Sequence, residues 1–181
     1  FGAEQTMVTI NHYGYFTFIY LLKSKKAGQA GWQTAETCRK GGAELQAICA
    51  KQKIAEITIT SHAALPQAAL LMAEGCALAN YQFLKYRTEA KKLTNTLARI
   101  NFTKESATLK EVTQRDVTVD AIYRVRTLVN EPLSFLSAEQ LAREIQAMGK
   151  ASGFKVTVFN KARIEKEKMG GLLSVNRGSI Q

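Results

Sequence analysis

The chain has 181 residues, enough for one generous domain or for one small domain and part of another. Its 46% apolar and 22% charged content is ordinary for a globular protein, and no apolar run approaches the roughly 18 to 20 residues that span a bilayer. The net charge of +10 comes from dispersed basic residues whose clusters are short, such as residues 23–26, so nucleic acid is not expected as a partner.

The three cysteines, Cys38, Cys49 and Cys76, all lie in apolar helical patterns. An odd number without a close pair argues against a disulfide framework and against a zinc knuckle. A free cysteine in such a pattern behaves as a small hydrophobe. Because the first ten residues also lack the pattern of a signal peptide, we expect buried, reduced thiols in a cytoplasmic protein.

The first predicted element is a β-hairpin. Residues 7–11 are β-prone, residues 12–14 can turn the chain, and residues 15–22 (YFTFIYLL) are aromatic and β-branched, which favours a strand. A polar, glycine-containing loop is expected at residues 23–31.

A long helix is predicted over residues 32–52, with Cys38, Leu45 and Cys49 on one stripe. Two adjacent glycines, Gly41 and Gly42, lie in its interior, where each costs about 1 kcal/mol relative to alanine. The pair therefore either kinks the helix or lets another backbone come close.

Two more strands and a buried helix follow. Residues 54–60 and 97–103 alternate as strands do, and residues 68–79 are apolar nearly all round, which indicates a helix buried on several sides. Pro66 is well placed for the first turn of that helix. The core is predicted to comprise Leu45, Ile48, Ile57, Ile59, Leu71 and Leu78.

Residues 108–130 have a helical pattern, in one or two pieces. Pro132 disfavours helical geometry at the residue before it, so residues 130–132 are the candidate domain boundary. We expect Arg124 and Arg126, both on this helix, to be ion-paired packing residues.

The pattern of predicted helices and strands changes after this boundary. Ser137 and Gln140 complete a capping box that begins a helix over residues 138–151. Residues 154–159 (FKVTVF) and 172–175 are predicted strands joined by a short helix, with Gly170 and Gly171 as the turn into the second. This strand–helix–strand unit implies a parallel sheet, which must be covered on both faces. We therefore expect the second domain to be truncated.

Local motifs supply no active site. Neither His12 nor His62 has a partner at metal-ligand spacing, and the chain has no nucleophile elbow and no phosphate-binding loop. Glu74 is the one charge in an apolar helix, and a buried carboxylate can act as a general acid or base. Since no second carboxylate or histidine accompanies it, we favour an arginine or tyrosine partner, or solvent, for Glu74.

Three longer runs carry a family resemblance. Residues 121–132 (AIYRVRTLVNEP) look like the segment that joins the two domains of the cytosolic leucine aminopeptidases. Residues 168–179 (KMGGLLSVNRGS) resemble the opening of that family's catalytic domain, and residues 80–86 (NYQFLKY) are similar to the last long helix of its N-terminal domain. The resemblance extends in order from about residue 15 to the end of the chain.

The resemblance implies an enzyme that removes N-terminal residues, such as leucine, from peptides. Such enzymes are hexamers that use two divalent metal ions, manganese or zinc, which polarise the scissile carbonyl and activate a bridging water. The family's Val-Gly-Lys-Gly and Asn-Thr-Asp-Ala-Glu-Gly-Arg runs, which supply metal ligands and a catalytic arginine, are absent here. No catalytic, metal or substrate-binding residue is therefore assigned, and this chain by itself is expected to hold no metal and to be inactive.

The predicted fold class is α/β. Residues 1–116 are expected to form a mixed sheet flanked by helices, similar to the macrodomains but lacking its first strands, residues 117–132 a linker helix, and residues 133–181 a truncated α/β catalytic domain. The expected partners are peptide substrate and further copies in a homo-oligomer, with no membrane. The alternative function is a macrodomain-like module that binds a nucleotide ligand or nucleic acid, which needs a glycine-rich phosphate loop beside a strand; none is found.

Overall fold

The computed structural model describes residues 6–22, 31–62, 65 and 67–178. The chain divides into two compact units, Phe1–Val129 and Asn130–Gln181, and each is described by itself. The basic cluster at residues 23–26 and the predicted helix start at Pro66 lie outside the described residues.

The first unit contains four strands and four helices within its described part. In chain order they are β1 (Met7–Asn11), β2 (Phe16–Tyr20), α1 (Gly31–Gln52), β3 (Glu56–Ile59), α2 (Ala68–Asn80), α3 (Ala90–Leu93), β4 (Arg99–Phe102) and α4 (Leu109–Asn130). The predicted α/β class is confirmed.

Strands β1 and β2 form the predicted hairpin, antiparallel, with Met7 opposite Tyr20 and Asn11 opposite Phe16. Tyr13 adopts a left-handed conformation in the turn, with φ of 64°, and its N–H donates to the Asn11 side-chain oxygen at 2.8 Å. Such a local bond from an asparagine side chain replaces a backbone turn bond and holds the reversal.

Strands β3 and β4 pair in parallel, with Ile57 opposite Ile100 and Ile59 opposite Phe102. The described strands therefore form two separate two-stranded sheets rather than one mixed sheet. Parallel neighbours need a crossover, and here the connection contains the buried helix α2.

Helices α1 and α2 cross in close contact at two glycines. A Cβ placed on Gly42 would lie 1.9 Å from the carbonyl oxygen of Met72, and one placed on Gly75 would lie 2.0 Å from the carbonyl oxygen of Arg39. Only glycine permits backbones to approach this closely. Of the two roles predicted for the glycine pair in α1, the structure therefore shows the close approach of another backbone.

The main core lies where α1, α2 and the strands meet, and Cys49 and Cys76 at its centre are fully buried. Leu71 belongs to a smaller cluster with Cys38 and Ala68. Of the predicted core residues, Leu45, Ile57, Ile59 and Leu71 are buried, whereas Ile48 and Leu78 are only partly buried.

Helix α4 is continuous over 22 residues, and none of its residues is buried. It begins with a capping box: the Thr108 N–H donates to the Glu111 carboxylate at 3.0 Å, and the Glu111 N–H donates to the Thr108 hydroxyl at 3.4 Å. Because little of α4 packs into a core, polar contacts must hold it in place.

The helix start predicted at Ser137 is confirmed, whereas the Gln140 side chain donates to the Glu144 carboxylate at 2.8 Å and does not complete the predicted capping box. The Ser137 hydroxyl accepts from the Gln140 N–H at 3.3 Å, α5 runs from Ala138 to Ser152, and Gly153 follows in a left-handed conformation. Two short helices complete the described part of the unit, α6 (Lys161–Lys166) and α7 (Gly170–Val175), followed by one 3-10 turn (Asn176–Gly178).

The predicted strand–helix–strand unit is wrong. Residues 154–160 belong to no strand or helix within the described residues, and residues 172–175 lie in helix α7, which begins at Gly170. A strand exists only when a neighbour satisfies its backbone, and a mainly apolar run of four residues is too short for its periodicity to distinguish a strand from a helix. The inference of truncation from an uncovered parallel sheet therefore has no support in this structure.

Candidate functional site

A charged cluster around Glu74 joins three helices. Glu74 on α2 is only 8% exposed, and its Oε1 accepts from Nε of Arg39 on α1 at 3.1 Å. Its Oε2 accepts from Nη1 of Arg115 on α4 at 2.7 Å, and Arg115 Nη2 also donates to the Gln67 side-chain oxygen at 3.3 Å.

This arrangement decides between the two roles considered for Glu74. Both carboxylate oxygens accept charge-assisted hydrogen bonds from arginine, so the carboxylate is engaged within the protein and is not presented to a substrate. The preferred alternative, an arginine partner, is confirmed, and the cluster is a structural junction of α1, α2 and α4.

The same face of α4 caps the end of α2. The Tyr123 hydroxyl donates to the Ala77 carbonyl oxygen, and Arg126 Nη1 donates to the Leu78 carbonyl oxygen. Carbonyls in the last turn of a helix have no partner within that helix, so these side chains satisfy them from outside. Arg126 also lies over the Tyr81 ring at 5.6 Å. The prediction that Arg126 is ion-paired is wrong, because it binds a backbone carbonyl instead.

Sequence reasoning missed this seam between α4 and α2. Arg115, Val119, Tyr123 and Arg126 recur at helical spacing and so share one face of α4. That spacing was available as a signal, but nothing in the sequence indicates that their targets are a buried carboxylate and the carbonyls of another helix.

A cavity of about 360 Å³ lies between α2, β4 and α4. Leu70, Phe102 and Val119 contribute apolar walls, and Glu74 and Arg115 lie at its polar side. These two charged groups are bonded to each other, so they do not converge on the empty space as the polar groups of a catalytic pocket do.

The two histidines are not brought together. His12 lies in the exposed hairpin turn, where its ring stacks on Tyr15 at 4.5 Å and its Nε2 is 3.1 Å from the Thr17 hydroxyl. His62 is exposed at the end of the segment that follows β3. His12 thus has the structural role predicted for it.

The three cysteines are buried and free, as predicted. Burial and, to a smaller extent, the neighbouring Cys49 together raise the pKa of the Cys76 thiol to about 12. Burial also raises the pKa of Cys38 and of Cys49. Since the thiolate is the reactive form, these side chains pack as hydrophobes and are not nucleophiles.

No group of three or more histidine, cysteine, aspartate or glutamate side chains in the described part of the chain is placed to hold a metal ion. Glu56, the acidic residue on β3, accepts from the Asn101 side chain at 2.7 Å, and this bond together with Arg99 lowers its pKa. These residues do not fit the two-metal site of the leucine aminopeptidases, and no catalytic step is derived through them.

The alternative of a nucleotide-binding module gains no support from the described residues. Ligands of parallel sheets bind beyond the carboxyl ends of the strands, with glycines that bring backbone N–H groups to a phosphate. The residues after β3 and β4 are Thr60, Thr103 and Ser106, whose hydroxyls bond to one another at 2.8 to 3.4 Å.

The second unit and the end of α4 coincide with a match to known proteins. Residues 123–181 match the sequence model described as cytosol aminopeptidase family, catalytic domain. The chain is 49% identical over 65 residues to a probable cytosol aminopeptidase of Chloroherpeton thalassium, covering 36% of this chain and 13% of that protein. It is 35% identical over 113 residues to a probable cytosol aminopeptidase of Clostridium perfringens, covering 60% and 23%.

A solved structure agrees with the sequence matches. A mutant of tomato leucine aminopeptidase superposes with a TM-score of 0.79 and 16% identity, over 97% of this chain and 35% of that one. The resemblance to the leucine aminopeptidase family is thereby confirmed. At this identity the superposition by itself shows the fold alone, and the likeness to macrodomains stays a prediction.

The family match includes one of the runs that carried the resemblance and most of another. The run at residues 168–179 lies within the matched segment, and so do residues 123–132 of the run at residues 121–132. The chain spans 13% and 23% of the two curated cytosol aminopeptidases above. Among the described helices, none combines the length and apolar content that crossing a membrane requires.

Proposed function

We propose that this chain is part of a metal-dependent aminopeptidase that hydrolyses N-terminal residues, such as leucine, from peptides. The observation that carries the proposal is the match of residues 123–181 to the catalytic domain of the cytosol aminopeptidase family. The two metal ions, manganese or zinc, would be held by residues outside the described ones, because those do not offer a fitting set of ligands.

The apolar surface of the second unit supports this proposal. Ser137 and Gly153 delimit an amphipathic helix, α5, yet Leu141 and Ile145 on it remain 37% exposed. Phe154 and Val158, in the segment that follows, are 52% and 46% exposed. In the proposed enzyme, the rest of the catalytic domain covers these four side chains.

The role proposed for the chain itself is structural. It contributes an N-terminal unit, the helix α4 as a linker, and the first helices of the catalytic domain. It has no peptidase activity alone. Assembly into a hexamer and a cytoplasmic location are part of the same proposal, and they rest on the family resemblance.

The coding sequence beyond Gln181 tests this proposal. We expect it to continue into a domain with one lysine and several aspartate or glutamate residues as ligands for two metals. Replacing any one of those carboxylates by its amide should then strongly impair metal-dependent release of leucine. A continuation without such a ligand set would contradict the proposal.

A further inference from the structure

Helix α4 takes no part in the packed core of the first unit. The main core cluster and the smaller cluster that contains Leu71 consist of residues between Met7 and Phe102, all of which precede α4 in the chain. A space of about 360 Å³ lies between α4 and its neighbours α2 and β4. Because protein interiors are close-packed, with few voids larger than a water molecule, apolar packing contributes little to the position of α4.

Three side chains attach α4 to α2 instead. Arg115 Nη1 donates to the Glu74 carboxylate at 2.7 Å, and Tyr123 and Arg126 donate to two carbonyls in the last turn of α2. We call Arg115, Tyr123 and Arg126 the latch. When such bonds break, water replaces the lost partners, so each bond contributes far less than its full strength to holding the helix.

The sequence of α4 does not favour a helix that stands alone. Nine of its 22 residues are valine, threonine or isoleucine, which lose side-chain freedom in a helix. The Thr113 and Thr118 hydroxyls donate to carbonyls one turn earlier, at 2.9 and 3.0 Å, a contact that slightly destabilises helices. Most helical stability in proteins comes from tertiary contacts, so α4 should unfold once it is detached.

The rest of the first unit keeps its main contacts without α4. The crossing of α1 and α2 at Gly42 and Gly75 and the pairing of β3 with β4 involve no residue of α4. Glu74 also keeps a partner, because its Oε1 accepts from Nε of Arg39 on α1 at 3.1 Å. Release of Arg115 therefore leaves no buried charge without a counter-ion, which would be the main cost of breaking a buried pair.

We propose that α4 is a strap held by the latch. It detaches from the first unit and unfolds in one cooperative step, while α1, α2, β3 and β4 stay folded. The three latch side chains are released together, because they lie on one face of one helix. Units of this kind open with a free energy below that of global unfolding.

Release of the strap has a consequence for the proposed enzyme. Residues 123–130 of α4 are also the first residues of the match to the catalytic domain of the cytosol aminopeptidase family. Opening of the latch thus frees the start of that matched segment from the first unit. This consequence rests on the proposed function, whereas the release of α4 does not.

Hydrogen exchange of the native 181-residue chain in low urea, followed by NMR, measures the release. The amides of Val119, Ile122 and Tyr123, in the middle of α4, should exchange at one common opening rate. That rate should be at least about 10-fold faster than for the amides of Cys49 and Cys76 in the core. It should also depend less on urea, because detaching one helix exposes less surface than global unfolding does.

Two substitutions separate release of the strap from global unfolding. Arg126→Met removes one latch bond and should speed exchange of the three α4 amides at least about 10-fold. Arg124→Met makes the same change at an exposed position of the same helix and should leave these rates nearly unchanged. Ile59→Val weakens the core and should speed exchange of the Cys49 and Cys76 amides about 2- to 10-fold, but not exchange of the α4 amides.

Three results would overturn the inference. The first is exchange of the α4 amides as slow as that of the core amides. The second is an equal effect of Ile59→Val on both sets, which would show that α4 unfolds only with the whole unit. The third is an equal effect of Arg126→Met and Arg124→Met. None of these measurements involves peptidase activity, so the inference can fail while the proposed function stands, and the reverse.

Discussion

The crossing of α1 and α2 supplies a quantitative prediction for Gly42→Ala. The added methyl group would lie 1.9 Å from the Met72 carbonyl oxygen, whereas ordinary contact begins at 3.4 Å. The helices must therefore separate by about 1.5 Å. Overpacking costs about 1–3 kcal/mol, and the upper end applies because the obstacle is backbone that cannot rotate aside. The higher helix propensity of alanine offsets about 1 kcal/mol of this cost, so the free energy of unfolding should fall by about 2 kcal/mol.

Urea denaturation of the 181-residue chain measures this loss. Far-ultraviolet circular dichroism follows the loss of helix, because Trp32, the chain's one tryptophan, is already 69% exposed in the folded chain. With a slope of about 2 kcal/mol per molar urea, the midpoint should fall by about 1 M.

The neighbouring glycine provides a matched control. A Cβ on Gly41 would meet the end of the Tyr20 ring at 2.6 Å, and a side chain can move where a backbone cannot. Gly41→Ala should therefore lower the midpoint by clearly less than Gly42→Ala. Equal midpoints for the two variants, or a Gly42→Ala midpoint at or above the parent's, would refute the close crossing.

Three further predictions concern other parts of the chain. Glu74→Gln should destabilise it by about 1–2 kcal/mol in urea unfolding, because Arg39 and Arg115, each about one third exposed, lose their shared carboxylate but can turn to water; an unchanged midpoint would contradict the junction. Thr108→Ala should cost about 1 kcal/mol near neutral pH. The Thr108 hydroxyl and N–H lower the pKa of Glu111, so the charged cap is complete above the ordinary glutamate pKa and is lost as the pH falls through the lowered one. The loss in Thr108→Ala should therefore shrink in acid, and a loss independent of pH would contradict this cap. Iodoacetamide should label no cysteine of the native chain and three after unfolding, counted by mass; rapid native labelling would show that the thiols are not buried.

The local elements of the first unit could be read from the sequence because each carries its own signal. The hairpin has a turn between two β-prone runs, and α1 has a stripe of small and apolar residues that includes Gly42. The sequence allowed two roles for the glycine pair, a kink in α1 or the close approach of another backbone. Only the position of α2 decides between them. Arg115 and Arg126 of α4 bind Glu74 and the Leu78 carbonyl of α2, which lie 41 and 48 residues away in sequence. Spacing along the chain therefore could not reveal these contacts.

The second unit shows where local signals fail. The cap at Ser137 and the left-handed Gly153 fix the ends of α5 through bonds within a few residues, and both were predictable. Residues 154–159 have the composition of a strand, but a strand needs a neighbour, and none is available among the described residues. The run at 172–175 has three apolar residues and one serine, which fit a turn of helix as well as they fit a strand.

The catalytic assignment could be made from the sequence only as a resemblance. No local motif indicates peptidase chemistry, because the described residues include no set of metal ligands. The runs at residues 121–132 and 168–179 resemble the family through the order of their residues and their spacing along the chain, and not through catalytic or metal-binding residues. The family match over residues 123–181 agrees with them.

The central claim is that this chain is one part of a metal-dependent aminopeptidase. The most direct test measures the release of leucine from a leucyl peptide by the purified full-length protein and by the 181-residue chain, each with added manganese or zinc and with a chelator. The claim predicts metal-dependent release by the full-length protein and none by the short chain. Release by the 181-residue chain alone, or no release by a folded, metal-loaded full-length protein, would contradict it.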